Sequence, residues 1–230
     1  MSQYEKPWQA VMARIERAAQ ASGRGARDVA LVAVSKTFPA DAVRAVHALG
    51  QRAFGENYVQ EAVSKMDATA DLAGLEWHLI GPLQGNKARA AAARFAWVQT
   101  IDRVSIAERL AAARPVELPA INVCVQVNIS GEGSKSGVAP AEALPLAQRV
   151  ATLPRLALRG LMGIAEPTGD VARQRAQFRA LRECFDECRA AGLPLDTLSM
   201  GMSADLDAAI AEGATLVRIG SAIFGSRSPG

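Results

Sequence analysis

Eight short apolar runs recur along the chain: Val29–Val34, Arg52–Phe54, Glu76–Ile80, Trp97–Thr100, Asn122–Asn128, Ala157–Met162, Thr197–Met200 and Thr215–Ile219. Between most neighbours lies an Ala/Arg/Glu-rich stretch with apolar spacing near 3.6: Ala40–Leu49, Val59–Met66, Asn86–Phe95, Val104–Ala113, Ala141–Leu153, Val171–Ala190 and Ser203–Ala211. Strands alternating with helices imply a parallel sheet, because parallel neighbours need crossover connections that helices supply. The runs are nearly continuous in apolar character, as strands covered on both faces must be. Eight such units use residues 1–230 almost fully and predict a single-domain (β/α)8 TIM barrel, a fold of about 250 residues. The rival is a doubly wound open sheet, which needs fewer strands and a switch point in strand order.

Composition excludes several function classes. With 50% hydrophobic and 21% charged residues the chain is neither disordered nor low-complexity. Two His and three Cys leave little room for a metal site rich in either. Aromatics at 5% are too few for stacking platforms on single-stranded nucleic acid. A net charge of +3 spread along the chain speaks for solubility, not for a nucleic-acid or membrane partner. Trp8, Val11, Met12 and Ile15 recur at helical spacing, so the N-terminal segment reads as an amphipathic helix and not as a secretory signal. No window approaches the roughly 18 apolar residues of a membrane span. Cys184 and Cys188 lie one helical turn apart and are read as small apolar groups on a packed face, not as a metal or redox pair. A cytoplasmic location is expected.

In a barrel of this kind the site lies at the C-terminal ends of the strands, and phosphate is commonly held after the seventh and eighth. Lys36 stands just beyond the first run, where partial desolvation would lower its pKa and make it a nucleophile for aldehydes. A solvated lysine at a strand end is the alternative. After the last two runs come Ser199–Asp205 and Arg218–Ala222. Ser203 is expected as the N-cap of the following helix, with Gly201 allowing close approach, and such an N-terminus offers free N–H groups to an anion. Gly220 and Ser221 could add donors, while Asp205 argues against an anion unless its side chain turns away. Arg218, within the last strand, needs an acceptor, which would be a ligand atom or an Asp or Glu. His78 could be a core histidine or a catalytic one. The glycine-rich loop Ser130–Gly137 and the segment Gly81–Lys87 both miss the nucleotide fingerprints; the first is expected to be a mobile loop over the mouth.

Several blocks together point to a family. VAVSKT around Lys36, FGENYVQE from Phe54, WHLIGPLQGNK from Trp77, VNISGEGSKSGV from Val127, RGLMGI from Arg159, LSMGMSADL from Leu198 and VRIGSAIFG from Val217 resemble the pyridoxal phosphate homeostasis proteins, also called proline synthetase co-transcribed homologues. The resemblance covers essentially the whole chain. It implies a barrel like the alanine racemase N-terminal domain, the type III pyridoxal phosphate fold, without that enzyme's C-terminal β domain. By the same resemblance Lys36 carries the cofactor, pyridoxal 5'-phosphate (PLP), as an internal aldimine. Ser203, Gly220 and Ser221 match the phosphate-holding positions, and Arg218 matches the arginine facing the pyridine nitrogen. Asn57, His78, Met200 and Gly201 fall in family motifs near the cofactor. An always-protonated arginine leaves the ring nitrogen unprotonated and the ring a weak electron sink. The expected function is a non-catalytic, monomeric carrier in PLP homeostasis, with apo-enzymes as acceptors. The alternatives are an amino-acid racemase of relaxed specificity and a cofactor-free barrel enzyme acting on sugar phosphates. Racemisation needs a base on each face of the substrate carbon, and neither Tyr4 nor Tyr58 fits the racemase motif for the second.

Overall fold

The computed structural model describes residues 2–130 and 136–225. Eight parallel strands, β1 (Ala30–Val34), β2 (Ala53–Glu56), β3 (Glu76–Leu79), β4 (Trp97–Ile101), β5 (Ile121–Val127), β6 (Leu156–Gly163), β7 (Thr197–Ser199) and β8 (Leu216–Ile219), close in sequence order into a barrel. Closure is made by β1 on β8, with Ala30 opposite Leu216 and Ala33 opposite Ile219. The expected barrel is therefore the fold, and the open-sheet rival is excluded.

Helix α1 (Glu5–Ala21) precedes the barrel, and each strand is followed by a helix: α2 (Ala40–His47), α3 (Val59–Ala68), α4 (Ala88–Arg94), α5 (Val104–Ala113), α6 (Pro140–Ala151), α7 (Val171–Ala190), α8 (Leu206–Ala211) and α9 (Ser221–Phe224). Local chemistry sets several starts. Pro140 takes the first turn of α6, where its missing N–H costs nothing, and the Asp170 carboxylate accepts from the N–H groups of Ala172 and Arg173 at the start of α7. Most of the core lies between the sheet and the helix layer, where α7 buries Phe178, Leu181, Cys184, Phe185 and Cys188. Both helix cysteines are thus packed side chains, and burial pushes the Cys188 thiol up to about 11.

Side chains alternate between the two faces of each strand, which decides what can reach the site. Inside the barrel a small separate cluster of Trp97, Cys124 and Met162 packs beside buried polar groups of other strands. Gly160 lets β6 approach β7: a Cβ at that position would stand 1.6 Å from the Thr197 carbonyl oxygen. Gly160→Ala must therefore displace backbone, and a loss of about 3 kcal/mol or more in urea denaturation is expected. A midpoint unchanged from wild type would show that the sheet has slack there.

Among the described residues no helix is long and apolar enough to cross a membrane. Two expected helix starts move by two residues or more. The helix expected over Ser203–Ala211 starts at Leu206, because Gly201, at φ 96°, and an Asp205–Met202 turn come first. The helix expected from Asn86 starts at Ala88, after a 3-10 turn over Gly85–Lys87. Of the expected mobile loop, residues 131–135 lie outside the described residues.

Candidate functional site

At the C-terminal mouth of the barrel lies a cavity of about 530 Å³, a size suited to a small cofactor. Six of the nine residues expected at the site line it: Lys36, Asn57, Ser203, Arg218, Gly220 and Ser221. Strand parity explains the convergence. Lys36 follows Val32 and Val34 on the inward face, and Gly220 follows Leu216 and Arg218 in the same way. The β1–β8 pairing then brings residues about 180 positions apart in the chain to one wall. A Cβ on Gly220 would come within 3.1 Å of the Val34 carbonyl oxygen, so the end of β8 sits tight against the end of β1.

The remaining three expected residues do not line this cavity. Met200 alternates with inward-facing Ser199, so its side chain points outward and is fully buried in the main core. Gly201 contributes backbone: its carbonyl accepts the Arg218 N–H at 2.9 Å. His78 lies one inward layer below Ile80, roughly 6.6 Å deeper at the usual strand rise; Ile80 lines the upper cavity, and His78 lines a cavity of about 290 Å³ at the opposite mouth.

The charges have one sign among the described residues that line the upper cavity. Among the described lining residues the ionisable ones are Lys36 and Arg218, with no Asp or Glu. Asp205 turns away: its Oδ1 accepts the Met202 N–H at 2.6 Å, and burial raises its pKa. Ser203 does not cap the helix that follows it, because α8 begins only at Leu206. Its Oγ instead accepts from the N–H of Ala222 at 3.3 Å, tying the turn after β7 to the first turn of α9. Arg14 of α1 adds a second tie, donating to the Ser203 carbonyl at 2.7 Å and to Asp207 at 2.9 Å.

Arg218 is buried, and burial pushes its pKa down to about 10, against the raising effect of nearby Asp205. Two of its five N–H groups are bound inside the protein, Nη1 to Ser199 Oγ at 2.6 Å and Nη2 to the Gly163 carbonyl at 2.9 Å. Both acceptors are neutral, so among the described residues the Asp or Glu weighed from sequence makes no hydrogen bond to it, and Asp205 acts on it only through its nearby charge. The residues present fit a phosphorylated pyridine aldehyde: an amine, a buried guanidinium, and small-residue turns rich in N–H and hydroxyl donors share one cavity.

Sequence reasoning missed the cluster behind Lys36. Lys65 Nζ donates to the Ser35 carbonyl, Glu56 Oε1 and Glu61 Oε1, each at 2.7 Å. Ser35 Oγ also donates to Glu56 Oε1 at 2.6 Å, and the Thr37 N–H donates to Glu61 Oε1 at 2.6 Å. Thr37 has φ 68°, a left-handed conformation that a β-branched residue rarely adopts. Both neighbours of Lys36 are therefore held from behind. Two signals were readable: Glu56 ends an apolar strand, and Glu61 and Lys65 stand at i and i+4.

Comparison with known proteins agrees with the fold. The family described as "Alanine racemase, N-terminal domain" matches residues 8–228. A pyridoxal phosphate homeostasis protein of Pseudomonas aeruginosa is 58% identical over 220 residues, covering 96% of this chain and 94% of that protein. Its Escherichia coli counterpart is 52% identical over 216 residues, covering 93% and 92%. Among solved structures, PipY of Synechococcus elongatus with PLP bound has a TM-score of 0.80 at 39% identity, covering 92% of this chain and 99% of that one. An alanine racemase of Clostridium difficile shares the fold at 14% identity and a TM-score of 0.71, over 95% of this chain and 57% of its own. The chain belongs to the alanine racemase N-terminal domain family and, within it, to the pyridoxal phosphate homeostasis proteins.

Proposed function

We propose that this protein binds pyridoxal 5'-phosphate and serves its homeostasis by holding and handing on the cofactor without transforming a substrate. The observation that carries the reading is the upper cavity, where the Lys36 amine and the Arg218 guanidinium line one space and two small-residue turns close one side. The cofactor supplies a reactive aldehyde carbon. Lys36 is the amine for it, Ser203, Gly220 and Ser221 receive the phosphate, Arg218 faces the ring nitrogen, and Asn57 stands on the adjoining wall. Arginine keeps its protons, so it donates to the ring nitrogen and does not protonate it, which leaves the ring poorly suited to carbanion chemistry.

A racemase would need a second base. Tyr4 packs edge-on against Phe224, Tyr58 is exposed at the start of α3, and His78 lies below the cavity floor. None of the three lines the upper cavity, which supports a carrier over a racemase. The same reading makes the protein a cytoplasmic monomer that serves PLP-dependent apo-enzymes.

The test is direct. Protein incubated with PLP and desalted should keep a visible absorption band that borohydride bleaches, with the reduced tag on the peptide containing Lys36. Mixed with a PLP-dependent apo-enzyme, it should restore that enzyme's activity. A colourless desalted protein overturns the reading, and turnover of amino-acid enantiomers would replace the carrier with a racemase.

A further inference from the structure

A line of hydrogen bonds crosses the barrel interior from the upper cavity to the lower mouth. Arg218 Nη1 donates to Ser199 Oγ at 2.6 Å, and the Ser199 hydroxyl donates to Gln99 Oε1 at 2.6 Å. Gln99 Nε2 lies 2.9 Å from His78 Nδ1, and His78 Nε2 lies 2.9 Å from Glu76 Oε1. These five residues come from β8, β7, β4 and β3.

Donor and acceptor capacity fixes the sense of every link. A guanidinium only donates, so Ser199 accepts from it and has one proton left for Gln99. With its oxygen taken, Gln99 turns its amide nitrogen to His78, and an amide nitrogen only donates. His78 Nδ1 must then be the lone-pair nitrogen, and Nε2 carries the proton to Glu76. The whole line runs from a cation to a carboxylate, the arrangement in which successive hydrogen bonds polarise one another.

The burial of the parts agrees. His78 is buried, stacks on Trp97 at 5.2 Å, and has its pKa pushed down by desolvation, so it stays neutral in the line. Glu76 is about half exposed at the lower mouth, and its hydrogen bond to His78 holds it below the usual carboxylate range. At the other end, the hydrogen bonds that the Arg218 guanidinium makes among the described residues go to neutral acceptors, with the Asp205 charge nearby.

We propose that Ser199, Gln99, His78 and Glu76 are a positioning relay that fixes the Arg218 guanidinium on the floor of the cofactor cavity and brings the Glu76 charge to bear on it through the barrel. The lower mouth thereby sets how firmly the upper cavity grips the ring of its ligand. In this relay His78 acts through Arg218 and not by contact with the ligand, which differs from the cofactor-binding place its motif implied. This inference rests on the PLP reading for what Arg218 faces.

The experiment uses the full chain with Gln99→Leu, Glu76→Gln and, as control, Asp196→Asn. Asp196 is a carboxylate of the same lower mouth, paired with Arg159 and outside the relay. Nitrogen NMR of the apoprotein needs to distinguish only His47 and His78. Wild type should show His78 protonated at Nε2 alone. Gln99→Leu, which removes the donor to Nδ1, should weaken that preference; Glu76→Gln, which keeps Gln99 and still offers an acceptor, should leave the tautomer in place and remove only the charge. With PLP bound, Gln99→Leu and Glu76→Gln should shift the visible band and release cofactor about tenfold faster, the scale of one charge-assisted hydrogen bond. Asp196→Asn should leave both readings at wild-type values. A Glu76→Gln protein with unchanged band and release rate overturns the relay, as does a wild-type His78 protonated at Nδ1. Should wild type bind no PLP at all, the PLP reading fails, and the apoprotein tautomer alone decides whether the relay exists.

Discussion

Lys36→Ala should lower retention of PLP through desalting at least 100-fold and remove the borohydride tag from the peptide spanning residue 36. The other cavity-lining groups remain in the variant, and on the proposed reading the Arg218 guanidinium and the turns around Ser203 and Gly220 would still take the ring and the phosphate. What disappears is the covalent anchor, and a 100-fold loss corresponds to about 2.7 kcal/mol, more than any one neutral hydrogen bond supplies. Residual, rapidly exchanging binding is therefore expected, visible in equilibrium dialysis with excess cofactor. Stability should change little, because Lys36 is only half-buried and lines a cavity, not the core. Wild-type retention in Lys36→Ala would refute its role as the anchor.

Lys65→Met should be the most damaging single change among the polar residues. Lys65 and Glu56 are both buried, and Glu56 Oε2 already has no hydrogen-bond partner. Burial raises the Glu56 pKa, and Lys65 is the main influence pulling it back. Without Lys65 an uncompensated carboxylate is left inside, a loss of about 3–5 kcal/mol. The sign of the pH dependence follows. With its folded-state pKa raised further above the unfolded value, Glu56 in the variant favours the folded state at low pH and opposes it as pH rises through that pKa. The stability gap between wild type and Lys65→Met should thus be widest at neutral pH and narrow towards pH 5. Chemical denaturation across that range measures it, and a gap independent of pH would show that Glu56 is not the cause. The double change Glu56→Leu with Lys65→Met should recover most of the loss, because it removes both charges together.

The barrel could be read from sequence because its signal is repetitive. Eight apolar runs at regular spacing leave few topologies, and each observed strand falls on its run within one or two residues. Lys36, Arg218 and Gly220 were accessible for the same reason, since residues at strand ends in a barrel face its mouth. What escaped depends on geometry finer than element type. Ser203 looks like an N-cap until the Asp205–Met202 turn delays the helix and sends its hydroxyl to Ala222. Met200 and His78 sit in the right motifs, but one faces the helix layer and the other lies a layer too deep. Counting alternate positions back from Lys36 and Arg218 would have separated inward from outward residues. The partners of Gln99, 21 and 100 positions away, depend on barrel closure and carry no local signal.

The pairing of β1 with β8 has a consequence for how the chain reaches its working state. Joining the first strand to the last is the contact of greatest sequence separation in the barrel, and such contacts come late because the intervening chain must already be ordered. Lys36 and the turns around Ser203 and Gly220 stand on opposite sides of that seam, so no partly folded intermediate with the seam open offers the complete cavity. A ligand that bridges them binds the closed barrel and not its precursors, and by mass action it draws the population towards closure. On the carrier reading the ligand is in this sense also a clasp: a rise in its free concentration should raise both the loaded fraction and the apparent stability of the closed barrel.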